Sequence, residues 1–419
     1  MKIVLLNDRI PPERSGGAER VVWLLALELQ WRGHEIHIIT TTDKAPFAER
    51  RSGIMTHHLH ANYPKRWQGW LSPYNPQTVG PLRRLLAELR PDVVHVHNIH
   101  FLLSYAAFGI ARRLGIPTVW TAHDMMSVAY TKLTHWIDPT RCGVESPAQY
   151  RLPRWYNLRQ MRLRYNPMRN LIIHHMLRRQ VNAWIAVSDA QRQALEVNGI
   201  PPLQVVYNGI DSATFAAPDL PVAALRNHLK LNGRHVILFA GRLTREKGSE
   251  QLFLAVQQLI TRLPTVTLLL LTEQISSWQN SGYAELLTDH VCFGGWLAGA
   301  ELAAAYQLAD VVCAPSICMD CAPMVVLEAM AASRPTVVTC YGGATELSAE
   351  NETGVVINPF DTAQFADQLY SLLTDPAQRD QMGAAGYRRV VEHFSLQHQA
   401  EQVETIYRSV IDQLDVASK

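Results

Sequence analysis

The chain has 419 residues, with 39 Lys and Arg against 37 Asp and Glu, and apolar residues make up 47% of it. That balance describes a globular protein and excludes a disordered tail, a collagen or a nucleic-acid coat. No stretch approaches the ~20 apolar residues of a membrane span, and the length suits two cores of about 200 residues each better than one.

The opening run Met1–Arg9 is too short in apolar residues for a signal peptide and reads as a first strand. From there strand-like runs alternate with helical patterns, the signature of a parallel sheet covered on both faces. In the first half the expected strands are Lys2–Asn7, Glu35–Thr41, Asp92–Asn98, Thr118–His123, Trp184–Ser188 and Val205–Asn208. The first helix is expected from about Ala18 to Arg32, closed by Gly33. The stretch Asp211–Gly233 has two prolines and no strand pattern, and reads as an interdomain connection. Alternation resumes with His235–Gly241, Val266–Thr272, Val291–Gly294, Asp310–Ser316, Thr336–Cys340 and Gly354–Asn358. Helical patterns alone follow, at Ala363–Thr374, Gln378–His393 and Leu396–Gln413. The pattern predicts an α/β fold of two Rossmann-like domains with a cleft between them.

One segment breaks the rhythm. Ser146–Asn182 carries eight arginines and no acidic residue, with Tyr150, Trp155, Tyr156 and Tyr165 interleaved and an apolar strip around Leu171–Ile173. Such a segment suits an anionic membrane surface or a lipid-diphosphate substrate; a solvated helix pair beside the cleft is the other reading. Six cysteines sit mostly in apolar runs, as reduced core cysteines do. Cys318 and Cys321 form a C-x-x-C, with no second pair to complete a zinc site.

The chemistry concentrates after His235–Ala240, in Gly241-Arg242-Leu243-Thr244-Arg245-Glu246-Lys247-Gly248. In an open α/β sheet ligands bind at the carboxyl ends of strands, and two cations beside a helix N-terminus make a site for a pyrophosphate. With Glu328 on a later helix, they suggest an enzyme whose leaving group is a nucleoside diphosphate. Gly16 and Gly17 let the backbone approach a phosphate or sugar where the first helix begins. The dinucleotide fingerprint Gly-x-Gly-x-x-Gly is absent, which argues against a dehydrogenase. Backbone amides over Ala322, Pro323, Met324 and Val325 open another helix and suit phosphate or sugar hydroxyls.

These pieces in their order resemble the GT-B glycosyltransferases of family 4, over nearly the whole chain. The motifs are Ser15-Gly16-Gly17-Ala18-Glu19-Arg20, Thr121-Ala122-His123-Asp124, Val187-Ser188, Tyr207-Asn208-Gly209-Ile210-Asp211, the Arg242/Lys247 stretch, Pro315-Ser316 leading to Asp320 and Glu328, and Gly342-Gly343-Ala344-Thr345-Glu346. The resemblance implies an N-terminal acceptor-binding domain over 1–210, a nucleotide-sugar-binding domain over 211–395, and a helix over 396–419 packing back on the N-terminal domain. It implies a retaining transferase moving a sugar from a nucleoside diphosphate to a glycan or lipid-linked glycan, in the cytoplasm or at the inner face of a membrane. The chain has no Asp-x-Asp to hold a metal, so Arg242 and Lys247 are expected to neutralise the departing diphosphate without a metal or other cofactor. Glu328 is implied to hold the ribose hydroxyls, and His123 the donor sugar. Asp320 stands where the family usually has a glutamate, a position the resemblance implies to contact the donor sugar. Cys321 and Ala322 stand where it tends to have glycine and an aromatic, and Thr272-Glu273-Gln274 where a Gly-x-Gly turn is common. A non-catalytic GT-B protein that binds a sugar nucleotide or glycan is the alternative these departures leave open.

Overall fold

The computed structural model describes residues 1–12, 16–273, 276, 279 and 282–417, and the chain forms two compact units. The first unit comprises Met1–Leu133, Pro147–Gly209 and Leu396–Lys419. Thr134–Ser146 and Ile210–Ser395 make the second. The segment Thr134–Ser146, expected within the N-terminal domain, therefore groups with the other unit.

In the first unit eight strands form one sheet: β1 (Lys2–Leu6), β2 (Glu35–Thr42), β3 (Phe47–Arg51), β4 (Ile54–His60), β5 (Val93–Val96), β6 (Thr118–Ala122), β7 (Ala183–Ala186) and β8 (Gln204–Val205). Their spatial order is β3-β4-β2-β1-β5-β6-β7-β8. All neighbours are parallel except β3 and β4, and Leu5 pairs with Ile38 on one side and His95 on the other. Ile3, Val4, Leu5 and Leu6 are all fully buried, because a parallel sheet is covered on both faces. The helix Gly17–Trp31 lays Val22, Leu25, Ala26 and Leu29 on this core. The helix Leu396–Ala417 adds Val403, Ile406, Tyr407 and Val410 to it. Glu404 on that helix accepts hydrogen bonds from Arg32 Nε at 2.7 Å and His34 Nε2 at 2.9 Å.

The hairpin β3–β4 is absent from the sequence-based strand set. Its outer strand is almost wholly exposed, so no apolar run marks it. The two-residue turn does leave a mark: Ser52 and Gly53 both take positive φ, at 48° and 82°, as primed hairpin turns require.

The second unit holds a six-stranded, all-parallel sheet of β9 (His235–Ala240), β10 (Val266–Leu271), β11 (Val291–Phe293), β12 (Val311–Ala314), β13 (Thr336–Thr339) and β14 (Gly354–Ile357). Its order is β11-β10-β9-β12-β13-β14. Ile237, Phe239, Leu268, Leu270 and Cys313 form its core with Leu252, Val256 and Leu259 of the helix Ser249–Ile260. Each sheet reverses its winding once, between β1 and β5 and between β9 and β12, and ligands of doubly wound sheets bind at such switch points.

Two sequence-based expectations are corrected. Cys142 and Cys340, read as reduced core thiols, form a disulfide with Cα atoms 5.4 Å apart; the fold brings together positions 198 residues apart, which no local pattern reveals. Arg169, counted in the basic segment, is fully buried. Its guanidinium donates to Ser72 Oγ at 3.1 Å and lies 4.6 Å from the Tyr130 ring centre.

Candidate functional site

In the second unit the switch point is built by the turn after β9. Gly241 has φ 143°, a 3-10 turn spans Arg245–Lys247, and Gly248 (φ 70°) caps the helix Ser249–Ile260. A Cβ on Gly248 would run into the Pro315 carbonyl beyond β12, so glycine is what lets the two strand ends close on each other. The amide of Ile317 donates to the Glu246 carbonyl at 2.9 Å and locks that approach.

Three chain segments converge on Asp320. Lys247 forms an ion pair with its carboxylate, and Ser316 Oγ donates to Oδ2 at 3.1 Å. The Gly343 amide donates to its carbonyl at 2.9 Å. Gly342 has φ 74°, and a Cβ there would sit 2.7 Å from that carbonyl. Lys247, expected as a cation waiting for a diphosphate, is thus neutralised by Asp320, expected as a sugar ligand. The physical reason is that both ends are more than half buried, at 25% and 14% exposure, where each charge needs a counter-charge. Arg242 is exposed, and among the described residues its guanidinium has no ion-pair partner.

Glu328 is buried at 4% exposure on the helix Met324–Ala331, and its carboxylate accepts a hydrogen bond from the Tyr306 hydroxyl. Pro323 caps that helix, so Met324 and Val325 stand in its first turn, where amides have no intrahelical acceptor. Ala322 precedes them, half-buried. Thr272 is buried after β10; Gln274 lies outside the described residues, as does Ser15 of the first motif.

In the first unit Gly16 caps the helix Gly17–Trp31 with no side-chain cap. The Glu19 carboxyl folds back against Gly16, its Cδ 3.1 Å from where a Cβ would stand. An anion at this helix start meets a negative charge, whereas a neutral sugar hydroxyl does not.

His123 follows β6 and meets a histidine that sequence reasoning missed. His97, just beyond β5, places Nδ1 2.9 Å from His123 Nε2. His95 lies against His97 with ring centres 4.0 Å apart and the planes tilted by 37°, and is held by the Tyr407 hydroxyl at 2.6 Å and Thr121 Oγ1 at 2.7 Å. Burial pushes His123 down to about 4, with Asp124 opposing and His100 adding to the shift. Burial likewise holds His95 at about 3 and His97 well below its ordinary value. Neutral rings share one proton per hydrogen bond, so the tautomers of His97 and His123 are coupled. If His97 Nδ1–H donates, His123 carries its proton on Nδ1, which is buried and has no hydrogen-bond partner among the described residues.

The flanking groups are equally anchored. Burial would raise Asp124, but His100 at 3.1 Å, the Met126 amide and Lys132 outweigh it and hold the carboxyl below the usual range. Asp8, after β1, accepts from the amides of Phe101, Leu102 and Leu103 at 2.7, 3.0 and 2.7 Å. A signal for this cluster exists in the sequence, in His95-Val96-His97-Asn98-Ile99-His100 at a strand end.

The comparisons with known proteins agree with this architecture. Residues 15–214 match the model of Glycosyltransferase Family 4, and residues 223–389 that of Glycosyl transferases group 1. The chain is similar to the D-inositol 3-phosphate glycosyltransferase of Pseudarthrobacter chlorophenolicus, 27% identical over 387 residues, covering 88% of this chain and 85% of that one. It is also similar to the glycogen synthase of Mycobacterium tuberculosis, 24% identical over 432 residues, covering 97% and 94%. Among solved structures, the sucrose-phosphate synthase of Thermosynechococcus elongatus superimposes with a TM-score of 0.76 at 22% identity, covering 98% of this chain and 99% of that one. Anabaena HepE in complex with UDP-glucose gives 0.72 at 19% identity, covering 98% and 100%. One family model spans most of the eight-stranded unit and the other most of the six-stranded unit, and the chain belongs to the family 4 glycosyltransferases, enzymes of GT-B fold.

Proposed function

We propose that the protein transfers a sugar from a nucleoside diphosphate to a hydroxyl of a glycan or lipid-linked glycan, with retention and without a metal. The observation that carries this reading is the pair of cations Arg242 and Lys247 at the carboxyl edge of β9, beside the switch point to β12. In the transfer the C1–O bond to the diphosphate breaks and a bond from C1 to the acceptor oxygen forms on the same face. The acceptor proton passes to the departing phosphate. Charge therefore grows on the diphosphate, and donors aimed at growing charge lower the barrier most. Arg242 offers a guanidinium with no ion-pair partner among the described residues, and Lys247 exchanges Asp320 for the diphosphate as the donor enters. Released from Lys247, Asp320 becomes an acceptor for the sugar hydroxyls.

The remaining roles follow the same placement. The backbone N–H groups of Ala322, Met324 and Val325, around the helix cap Pro323, face phosphate or sugar, Glu328 takes the ribose hydroxyls, and neutral His123 donates to or accepts from the sugar. Gly16 and Gly17 suit a neutral sugar group. Nucleotide complexes of structural relatives such as HepE with UDP-glucose support a sugar-nucleotide donor. The protein works in the cytoplasm, and with a lipid-linked acceptor it works at the inner face of a membrane.

A donor screen by mass spectrometry, with release of free nucleoside diphosphate as readout and EDTA present, tests the reading. Arg242→Ala and Lys247→Ala are each expected to cut turnover ~10²–10³-fold, the usual effect of losing one such donor. Wild-type rates in both variants would remove these cations from the mechanism.

A further inference from the structure

The large apolar side chains that the fold leaves exposed are not scattered. Trp67 precedes the short helix Gln68–Leu71, Trp70 lies within it, and Tyr74 follows it. Trp155, Leu163, Met168 and Leu171 come from a stretch about 90 residues later, with Leu163 92% exposed. These seven are most of the exposed large hydrophobics among the described residues, and the fold brings the two stretches that carry them together. The Trp70 indole N–H donates to the Leu163 carbonyl at 3.0 Å. At Gly69 a Cβ would lie 2.6 Å from the Arg164 carbonyl, so the two segments touch backbone to backbone. Buried Arg169, next to Met168, ties the same region to Ser72 at 3.1 Å.

Cations rim this surface: Lys65, Arg66, Arg154, Arg159, Arg162 and Arg164 are all exposed. No acidic residue occurs from Asn62 to Ala87 or from Ser146 to Asn182. The Arg66 guanidinium lies 6.0 Å from the Trp67 ring centre and that of Arg154 5.2 Å from the Trp155 ring centre. Contiguous exposed apolar side chains with a polar rim mark an interaction site. Three indoles and a phenol at its level favour a bilayer interface, where their apolar bodies and polar tips are both satisfied. The one-signed rim favours anionic headgroups. Among the described residues no helix is long and apolar enough to cross a membrane.

We infer that residues 65–74 and 154–171 of the first unit form one surface that seats on an anionic bilayer, Leu163 and the tryptophans entering the headgroup layer while the arginines bind lipid phosphates. This surface is independent of the catalytic reading, because it uses none of the residues placed there.

Co-sedimentation of the full chain with vesicles tests it. Vesicles of phosphatidylcholine alone are compared with vesicles containing about 30% phosphatidylglycerol, at low and high salt. Binding to the anionic vesicles at low salt is expected, weakened by salt and absent from neutral vesicles. Arg162→Glu/Arg164→Glu is expected to weaken it by more than roughly fivefold per position, the loss expected from removing one cation near the surface. Leu163→Ser/Trp155→Ser is expected to weaken it about tenfold or more by removing buried apolar area. Thermal melting of each variant controls for folding. Three outcomes overturn the inference: no binding to anionic vesicles, unchanged binding in the serine variant, or binding to an RNA oligonucleotide with none to vesicles. Nucleotide release plays no part in the readout, so a failed transferase reading leaves this result intact.

Discussion

At the scale of single residues, the two clusters share one device: a side chain held by a partner that the ligand can replace or that sets its proton. Lys247 and Asp320 hold each other in an ion pair, and in the proposed mechanism a diphosphate competes for the cation. The tautomers of His123 and His97 are coupled through the hydrogen bond between them. The second arrangement predicts a difference between two substitutions of His97. His97→Leu strips His123 Nε2 of its partner in a buried place, which costs about 1–3 kcal/mol, and is expected to lower kcat roughly tenfold to a hundredfold with little change in donor KM. In His97→Asn the amide occupies the position of Nδ1 and is expected to recover most of that loss. Equal rates in the two variants would leave His97 a packing role only. Of these residues Lys247, Asp320 and His123 carry a motif and were legible in the chain. His97 was legible only as one of three histidines near a strand end, because its role comes from β6 lying beside β5.

Among the elements, the turn from β9 into the helix Ser249–Ile260 shows most clearly how backbone freedom shapes the site. Gly248 has a left-handed φ of 70° and stands against the Pro315 carbonyl. Gly248→Ala is therefore expected to destabilise the second unit by about 1–3 kcal/mol, since it adds left-handed strain to a steric clash. Urea denaturation reads this directly, and an unchanged midpoint would show that the turn can relax. The glycine was visible in the sequence, and so was the strand before it. What the sequence did not reveal was the element pressed against it, because β12 begins 71 residues after β9 ends and no local period records that approach. The missed hairpin β3–β4 is the converse case. Its outer strand β3 lies at the sheet edge with exposed side chains, so the hydrophobic alternation that marks interior strands is missing there.

For the whole molecule, the distribution of buried histidines sets the response to acid. His95 at about 3, His123 at about 4 and His174 at about 4 all lie in the first unit, and burial lowers each from an unfolded value near 6.5. Between about pH 6.5 and 4 the unfolded chain binds protons that the folded one refuses, so stability falls as pH falls through that window. Each histidine contributes a slope of about 1.4 kcal/mol per pH unit there. Urea midpoints are expected to be lower at pH 5 than at pH 7, and an equal or higher midpoint at pH 5 would mean these rings are charged or solvated in the fold. The sequence by itself determined the two alternating halves, their parallel sheets and the Gly–Arg–Lys turn, because periodicity and strand-end chemistry are local properties of a chain. Tertiary structure alone decided that Lys247 meets Asp320, that Cys142 meets Cys340, that His97 meets His123 across two strands, and that residues 65–74 join 154–171 in one exposed surface. Those are contacts between distant segments, and they exist only once each sheet has wound and brought its strand ends together.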